Sequence, residues 1–405
     1  MPRLTRRSRS MALGGCLVAA AVVAAGCSSG GGTPSSNAAP ASKSASPSPS
    51  PTPSPTPPPP PKPITMAFTG DLLLHSPVYN QAAVDGRATG MAYDFRPMFT
   101  QVKAQLSAAD LAICHQETAL TATDVGLSGY PVFNSPHEIA VAVADAGYDG
   151  CSTASNHSYD HGAQGVADTI SAFDAVHVEH AGTAISAATR LPEVHTVRGV
   201  KVALLDYTYG LNGFVLPAAQ PYLVNLINVA QILSDAKAAK AAGAQIVVVQ
   251  MHWGEEYQAT PTTEQRTEAT QLLYSPYVDA IVGGHVHVVQ PVEKIGNKYV
   301  VYGIGNFLSN QSGECCPVSS QDGVIVTLHF VNTAGKWSVG SITYTPTYVD
   351  RFGGYVIYPD AAAYENPATS AALKQQLAAS FQRTVAVMSS LRAPNVTPDL
   401  TPPGL

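Results

Sequence analysis

The chain has 405 residues, 45% of them hydrophobic, which suffices for one large domain or two around a sizeable core. Charged residues are only 12%, well below the usual quarter, and part of that deficit comes from a long, nearly uncharged start. The formal net charge of −6 becomes −10 once residues 1–26, with four arginines and no acid, are removed; that excludes a nucleic-acid surface and adhesion of the protein body to an anionic membrane.

Arg3, Arg6, Arg7 and Arg9 form a basic start, Met11 to Ala25 is small and apolar, and Ala24-Ala25-Gly26-Cys27 is similar to a lipobox. The apolar run is too short to span a bilayer comfortably, and a Ser/Gly tail follows. Lipidation of Cys27 is therefore favoured over an ordinary secretory signal or a short anchor, and residues 1–26 are read as a lipoprotein signal peptide. Residues 27–63 read as a disordered Ser/Gly/Pro linker, whose proline half extends roughly 50 Å at about 3.1 Å per residue. The expected location is the extracellular face of the cell membrane, the chain exported and held by its lipid.

From Ile64 onward, strand-like and helical patterns alternate, which indicates an α/β domain over residues 64–350. Several apolar runs end in polar residues. Ile64 to Thr69 leads into Gly70-Asp71, and Asp110 to Cys114 into His115-Gln116-Glu117. Tyr148 to Ala154 leads into Asn156-His157, Gln245 to Met251 into His252-Trp253-Gly254, and Ala280 to Gly283 into His285 and His287. Parallel strands gather their carboxyl ends on one edge, so these side chains are expected to converge despite their separation. Helices are predicted over 93–108, 137–146, 163–173, 226–242 and 262–274. Further strands are predicted over 200–205, 298–302, 324–330 and 339–344. Residues 351–405 are read as a terminal helix, 369–390, followed by a loose proline-rich tail from Ala393.

Gly70-Asp71, Gln116-Glu117-Thr118, Ser155-Asn156-His157-Ser158-Tyr159-Asp160-His161-Gly162, His252-Trp253-Gly254-Glu255-Glu256-Tyr257, Gly284-His285-Val286-His287 and Gly303-Ile304-Gly305-Asn306-Phe307 stand in order along residues 64 to 330. In these blocks the chain resembles the CapA family of poly-γ-glutamate capsule proteins. The resemblance implies a fold similar to calcineurin-like metallophosphoesterases, a β-sandwich flanked by helices in a four-layer αββα arrangement. It also implies one or two divalent metal ions per chain, Mn, Fe, Zn or Mg. Asp71 and His287 would serve one metal, Asn156, His252 and His285 the other, and Glu117 would bridge. His157 would stabilise developing charge or protonate a leaving group with Asp160 orienting it, or the pair would merely stiffen its loop. Tyr209 and Asn212, with Trp253, Glu255, Tyr257 and Asn306, are candidates for shaping the cleft and binding substrate; Asn306 would also secure loops by hydrogen bonds.

The chain departs from the phosphoesterase pattern at two places. A histidine ligand is expected two residues after the first aspartate, where Leu73 stands, and the bridging acid is Glu117 rather than aspartate. His75 or His115 is available to supply the missing nitrogen, each otherwise a polar residue at the rim. The implied function is a cell-surface protein of capsule or envelope-polymer synthesis, export or anchoring with a hydrolase-like metal site. Its partners would be an anionic polymer or a small phosphoester, the membrane through its lipid, and capsule synthesis or export proteins. A secreted metal-dependent phosphoesterase and a non-catalytic polymer-holding component are the alternatives. Cys114 and Cys151 are either a disulfide or two buried thiols, and Cys315-Cys316 a loop disulfide or a reactive pair.

Overall fold

A computed structural model describes residues 62–190 and 192–402. The expected signal peptide, Cys27 and nearly all of the linker lie outside the described residues. In chain order the first half comprises β1 (Ile64–Leu72), α1 (Ser76–Thr89), α2 (Arg96–Phe99), α3 (Lys103–Leu106), β2 (Leu111–Gln116), β3 (Leu120–Thr121), β4 (Ser135–Pro136), α4 (Ile139–Ala146), β5 (Gly150–Ser152), α5 (Gly162–Asp174) and β6 (Glu179–Ala181). The second half comprises β7 (Glu193–Val197), β8 (Val200–Thr208), α6 (Val229–Ala241), β9 (Ile246–Trp253), α7 (Thr263–Leu273), β10 (Ala280–His285), β11 (Val292–Ile295), β12 (Lys298–Val301), β13 (Asn306–Leu308), β14 (Asp322–Thr333), β15 (Lys336–Asp350), β16 (Val356–Pro359), α8 (Asp360–Glu365), α9 (Ala371–Met388) and β17 (Val396–Pro398).

Two sheets make the centre of the molecule. One runs β16-β15-β14-β1-β2-β5-β6, with β13 beside β1 and β17 beside β15; the other runs β11-β12-β10-β9-β8-β7. Their inner faces meet through Met66, Phe68 and Ile113 on one side and Leu204, Val248 and Val282 on the other. The outer face of the first sheet is covered by α1 to α4, that of the second by α6 and α7. Strands buried on both faces explain the continuous apolar runs in the sequence. The result is the four-layer sandwich of sheets flanked by helices that the resemblance implied. Among the described residues no helix is long and apolar enough to cross a membrane.

Three local differences from the sequence expectations have physical causes. Helix α1 lacks a strong apolar stripe, so periodicity does not predict it; Pro77 starts it, Gly90 caps it in the left-handed region, and Val78, Tyr79 and Ala82 anchor it to the core. The single helix expected over 93–108 is instead α2 and α3, two single turns that place Met98, Phe99, Val102 and Leu106 in the core. Part of the tail expected to be loose is held in a sheet: β17 pairs in parallel with β15, Ile342 opposite Val396 and Tyr344 opposite Pro398. The cysteine alternatives left open by the sequence are also resolved: Cys315 and Cys316 are free thiols. Cys114 and Cys151, opposite each other on the parallel neighbours β2 and β5, form a disulfide with α-carbons 4.5 Å apart.

Candidate metal centre

The core of each sheet is parallel, β1-β2-β5 in one and β8-β9-β10 in the other, and the carboxyl ends of these strands open onto a common edge. Gly70 makes the first contribution possible. A β-carbon there would stand 1.9 Å from the Gly305 carbonyl oxygen, so only glycine lets β1 approach and accept register with the Gly305 turn, where the Asp71 amide donates to that carbonyl at 3.0 Å. Asp71 is thereby carried to the centre of the edge, fully buried.

Around it the structure collects Glu117, Asn156, His252, His285 and His287, all buried. His287 Nδ1 lies 3.2 Å from Asp71 Oδ2 and 3.1 Å from Asn306 Oδ1, while its Nε2 lies 3.7 Å from Glu117 Oε1. The same Glu117 oxygen is 3.9 Å from His252 Nε2, so Glu117 stands between two imidazoles. His252 Nε2 is 2.8 Å from Asn156 Oδ1, which leaves that amide oxygen engaged by the ring. Ring centroids of His252 and His285 are 4.8 Å apart. Both His285 (φ 86°) and His287 (φ 56°) occupy the left-handed backbone region, unusual for residues with a β-carbon and common where a site imposes strain.

The electrostatics follow from burial and neighbours. Burial disfavours charge on Asp71, yet the hydrogen bond from His287 and the nearby His115 and His287 rings hold its carboxyl below the ordinary range. Burial pushes Glu117 well up, against the pull of His287 and with repulsion from Asp71. For His287 burial is outweighed by Glu117 and Asp71, and the ring is pushed up to about 9. His252 and His285 go the other way through burial and neighbouring imidazoles, His285 to about 3.

The residues fit a cation. Asp71 Oδ1, both carboxylate oxygens of Glu117, His115 Nε2, His252 Nδ1 and His285 Nδ1 are buried without any hydrogen-bond partner, a costly arrangement unless something positive sits among them. Among these side chains, three donor groups have ligand atoms within 4.8 Å of one another: Asp71, His115 and His252; Asp71, Glu117 and His287; Glu256, His285 and His287. Carboxylate and neutral imidazole together suit borderline and hard divalent ions.

His157 lies on the loop after β5. Its Nδ1 is 2.8 Å from Asp160 Oδ2, which also accepts the Phe133 amide at 2.6 Å, and its ring packs edge-on against Phe133. Asn212 Nδ2 approaches His157 Nε2 at 3.3 Å, and Asn156 Nδ2 donates to Asn212 Oδ1 at 3.2 Å, linking the loop after β8 to that after β5. Tyr209, about half exposed, sets its ring 4.4 Å from His285.

Two clefts flank the donors. One, of about 500 Å³, is walled by Glu255, Glu256, Glu264 and Glu268, with Tyr209 and His285 at its inner end. The other, about 400 Å³, is lined by His75, Phe133, His157, Tyr257, His287 and Cys316, with Glu256 its one carboxylate. Trp253 is almost wholly buried, its indole N–H on the Tyr302 carbonyl at 2.9 Å, and offers only an edge to the acidic cleft. Asn306 is buried beside His287 and donates to Gln311 Oε1 and the Ser320 carbonyl, hydrogen bonds of the loop-securing kind expected of it. Tyr257 accepts from Gln311 Nε2 at 3.2 Å and borders the second cleft.

The sequence reading leaves His75 and His115 open, either one supplying the missing nitrogen or both standing at the rim, and the structure separates them. His75 is indeed peripheral, its Nδ1 near the Leu73 carbonyl. His115 is buried, with Nε2 3.9 Å from Asp71 Oδ1. The signal is present in the sequence: His115 and Glu117 are two apart along the end of a strand and so share a face. Glu256, part of the block that follows His252, also approaches His285 and His287.

A family model described as the bacterial capsule synthesis protein PGA_cap matches residues 65–311. The chain is 30% identical over 217 residues to the PGA biosynthesis protein CapA of Bacillus subtilis (strain 168), covering 51% of this chain and 53% of that protein. It is 32% identical over 201 residues to the capsule biosynthesis protein CapA of Bacillus anthracis, covering 48% and 47%. It thus spans about half the length of the curated relatives it matches. Similar solved structures include the calcineurin-like phosphoesterase YfkN from Bacillus subtilis, with TM-score 0.45, 14% identity, and 80% of this chain and 98% of that one covered. A 5'-nucleotidase precursor from Thermus thermophilus has TM-score 0.43 and 17% identity, with 80% and 59% covered.

Proposed function

We propose, from the premise that this chain belongs to the bacterial capsule synthesis protein family PGA_cap, that it works at the cell surface in making, exporting or anchoring an anionic capsule or envelope polymer, using a metal-dependent hydrolytic site. The observation that carries the reading is the set of orphaned carboxylate oxygens and imidazole nitrogens gathered at the strand ends, arranged as though for a divalent ion. Export through residues 1–26 and a lipid on Cys27 would place this site outside the membrane.

A bound divalent ion would supply local positive charge and activate a water molecule near neutral pH. The side chains then divide the remaining work. Asp71, Glu117, Asn156, His252, His285 and His287 are the ligand candidates. His157, its Nδ1 tied to Asp160, lines the second cleft with Nε2 accepting from the Asn212 amide, and would hand a proton to a leaving group once Nε2 has taken one up. The four glutamates of the larger cleft would repel a polyanion, so an anionic chain would enter along the His75, Phe133 and Tyr257 side.

The test is elemental analysis of the purified protein, followed by assay on γ-glutamyl and phosphoester substrates beside His252→Ala and His285→Ala. Each variant should lose metal and at least about a hundredfold in turnover. Wild-type protein that binds metal but turns over neither substrate would instead favour a polymer-holding role, and rapid turnover of a simple aryl phosphoester a secreted phosphoesterase.

A further inference from the structure

Behind the outer donors lies a second, wholly enclosed set. His115 Nδ1 is 2.7 Å from Ser152 Oγ, which also accepts from Gln250 Nε2 at 3.0 Å and lies 3.3 Å from the Cys114 carbonyl. A hydroxyl has one proton and two lone pairs. All three contacts are satisfied when Ser152 donates to Cys114 and accepts from Gln250 and from His115 Nδ1–H. That assignment leaves Nε2 of His115 as a bare lone pair. It faces Asp71 Oδ1, another acceptor, across 3.9 Å, and neither atom has any other partner.

The same logic applies to His252. Its Nε2 is a donor to Asn156 Oδ1, so its Nδ1 is a lone pair, and it too is buried without a partner. These three acceptors surround one small space. A β-carbon built on Gly284 would stand 2.9 Å from Asp71 Oδ1, 3.7 Å from His252 Nδ1 and 4.0 Å from the His115 ring. Three buried acceptors facing one another repel unless a cation or a proton donor lies between them. Two ligands of one ion, each at about 2.1 Å, stand roughly 3 to 4 Å apart, which the His115–Asp71 separation already satisfies.

We propose that His115 is a metal ligand of this chain, closing with Asp71 Oδ1 and His252 Nδ1 an inner cation site over Gly284, behind the group formed by Asp71 Oδ2, Glu117 and His287. The inference rests on the metal-centre reading above and adds a ligand to it. Asp71 turns one oxygen to each group and is the shared ligand. His115 fills the coordination that Leu73, two residues after Asp71, has no donor atom to provide. Ser152 is a positioning residue, fixing the tautomer and plane of the ring.

The full chain, stripped by chelator and then loaded with a stoichiometric series of Co(II), tests this. The readouts are cobalt per chain after gel filtration and the visible absorption of the bound ion. His115→Ala should hold one ion fewer per chain than wild type, with weaker visible bands. His329→Ala, whose ring bonds Thr343 on the far side of the sheet, should match wild type. Ser152→Ala, which keeps the imidazole, should bind about tenfold more weakly in competition with a chromogenic chelator. Equal cobalt counts for wild type and His115→Ala overturn the inference alone. If His115→Ala does not fold, unchanged affinity in Ser152→Ala overturns it. A wild-type chain that binds no cobalt overturns this inference and the proposed function together.

Discussion

His287 is held in the left-handed backbone region between two carboxylates, Asp71 and Glu117, with Asn306 fixing its ring from below. Burial opposes a charge on this ring, but the pull of Glu117 and Asp71 outweighs it and raises the imidazole to about 9. The sign of the resulting linkage is definite. A ligand must offer a lone pair, so below about pH 9 a metal has to displace the proton, and each unit of acidification weakens apparent affinity by about tenfold. Metal titration of the whole chain at pH 6.5, 7.5 and 8.5 should show affinity rising with pH and proton release that scales with buffer ionisation enthalpy. Affinity flat across this range would show that metal binding displaces no proton from His287.

At the scale of elements, β2 and the C-terminal segment each go beyond their sequence readings. β2 reads as a core strand leading into the bridging candidate Glu117, and because alternate residues share a face its carboxyl end also turns His115 to the side of Glu117, just beyond it. The C-terminal segment reads as a loose tail because prolines cannot fill a central strand, but an edge position tolerates them, and β17 takes such an edge beside β15. Its attachment is reinforced by Tyr299, whose hydroxyl donates to the Pro394 carbonyl at 2.9 Å, and by Asn395 Nδ2, which donates to the Gly340 carbonyl at 3.2 Å. Deleting residues 393–405 should therefore uncover apolar surface at Ile342 and Tyr344 and lower the melting temperature by several degrees, about 1 to 2 kcal/mol for a chain of this size. An unchanged thermal transition would show that β17 adds nothing to stability.

For the whole molecule, the two sheets must keep their strand ends in one plane for the donors to meet. Cys114–Cys151 joins the strands that precede Glu117 and Asn156 and closes a loop across a sequence separation of 37. Loop-closure entropy assigns that cross-link about 4 kcal/mol. Replacing both cysteines by alanine should lower stability to denaturant by about that amount and weaken metal retention. A double variant as stable as wild type in urea would remove the disulfide from this account.

The alternation of strands and helices, and the donors placed just after the strands, were legible in the sequence because both follow from local periodicity and from parallel pairing. Asp71, Glu117, Asn156, His252, His285 and His287 could be picked out that way although some stand more than two hundred positions apart. Tertiary structure alone decided between His75 and His115 in favour of His115, that Cys114 pairs with Cys151 while Cys315 and Cys316 stay free, and that part of the tail joins a sheet. Each of these depends on a distance or a buried, partnerless atom, and both arise only when chain segments remote in sequence are packed against one another.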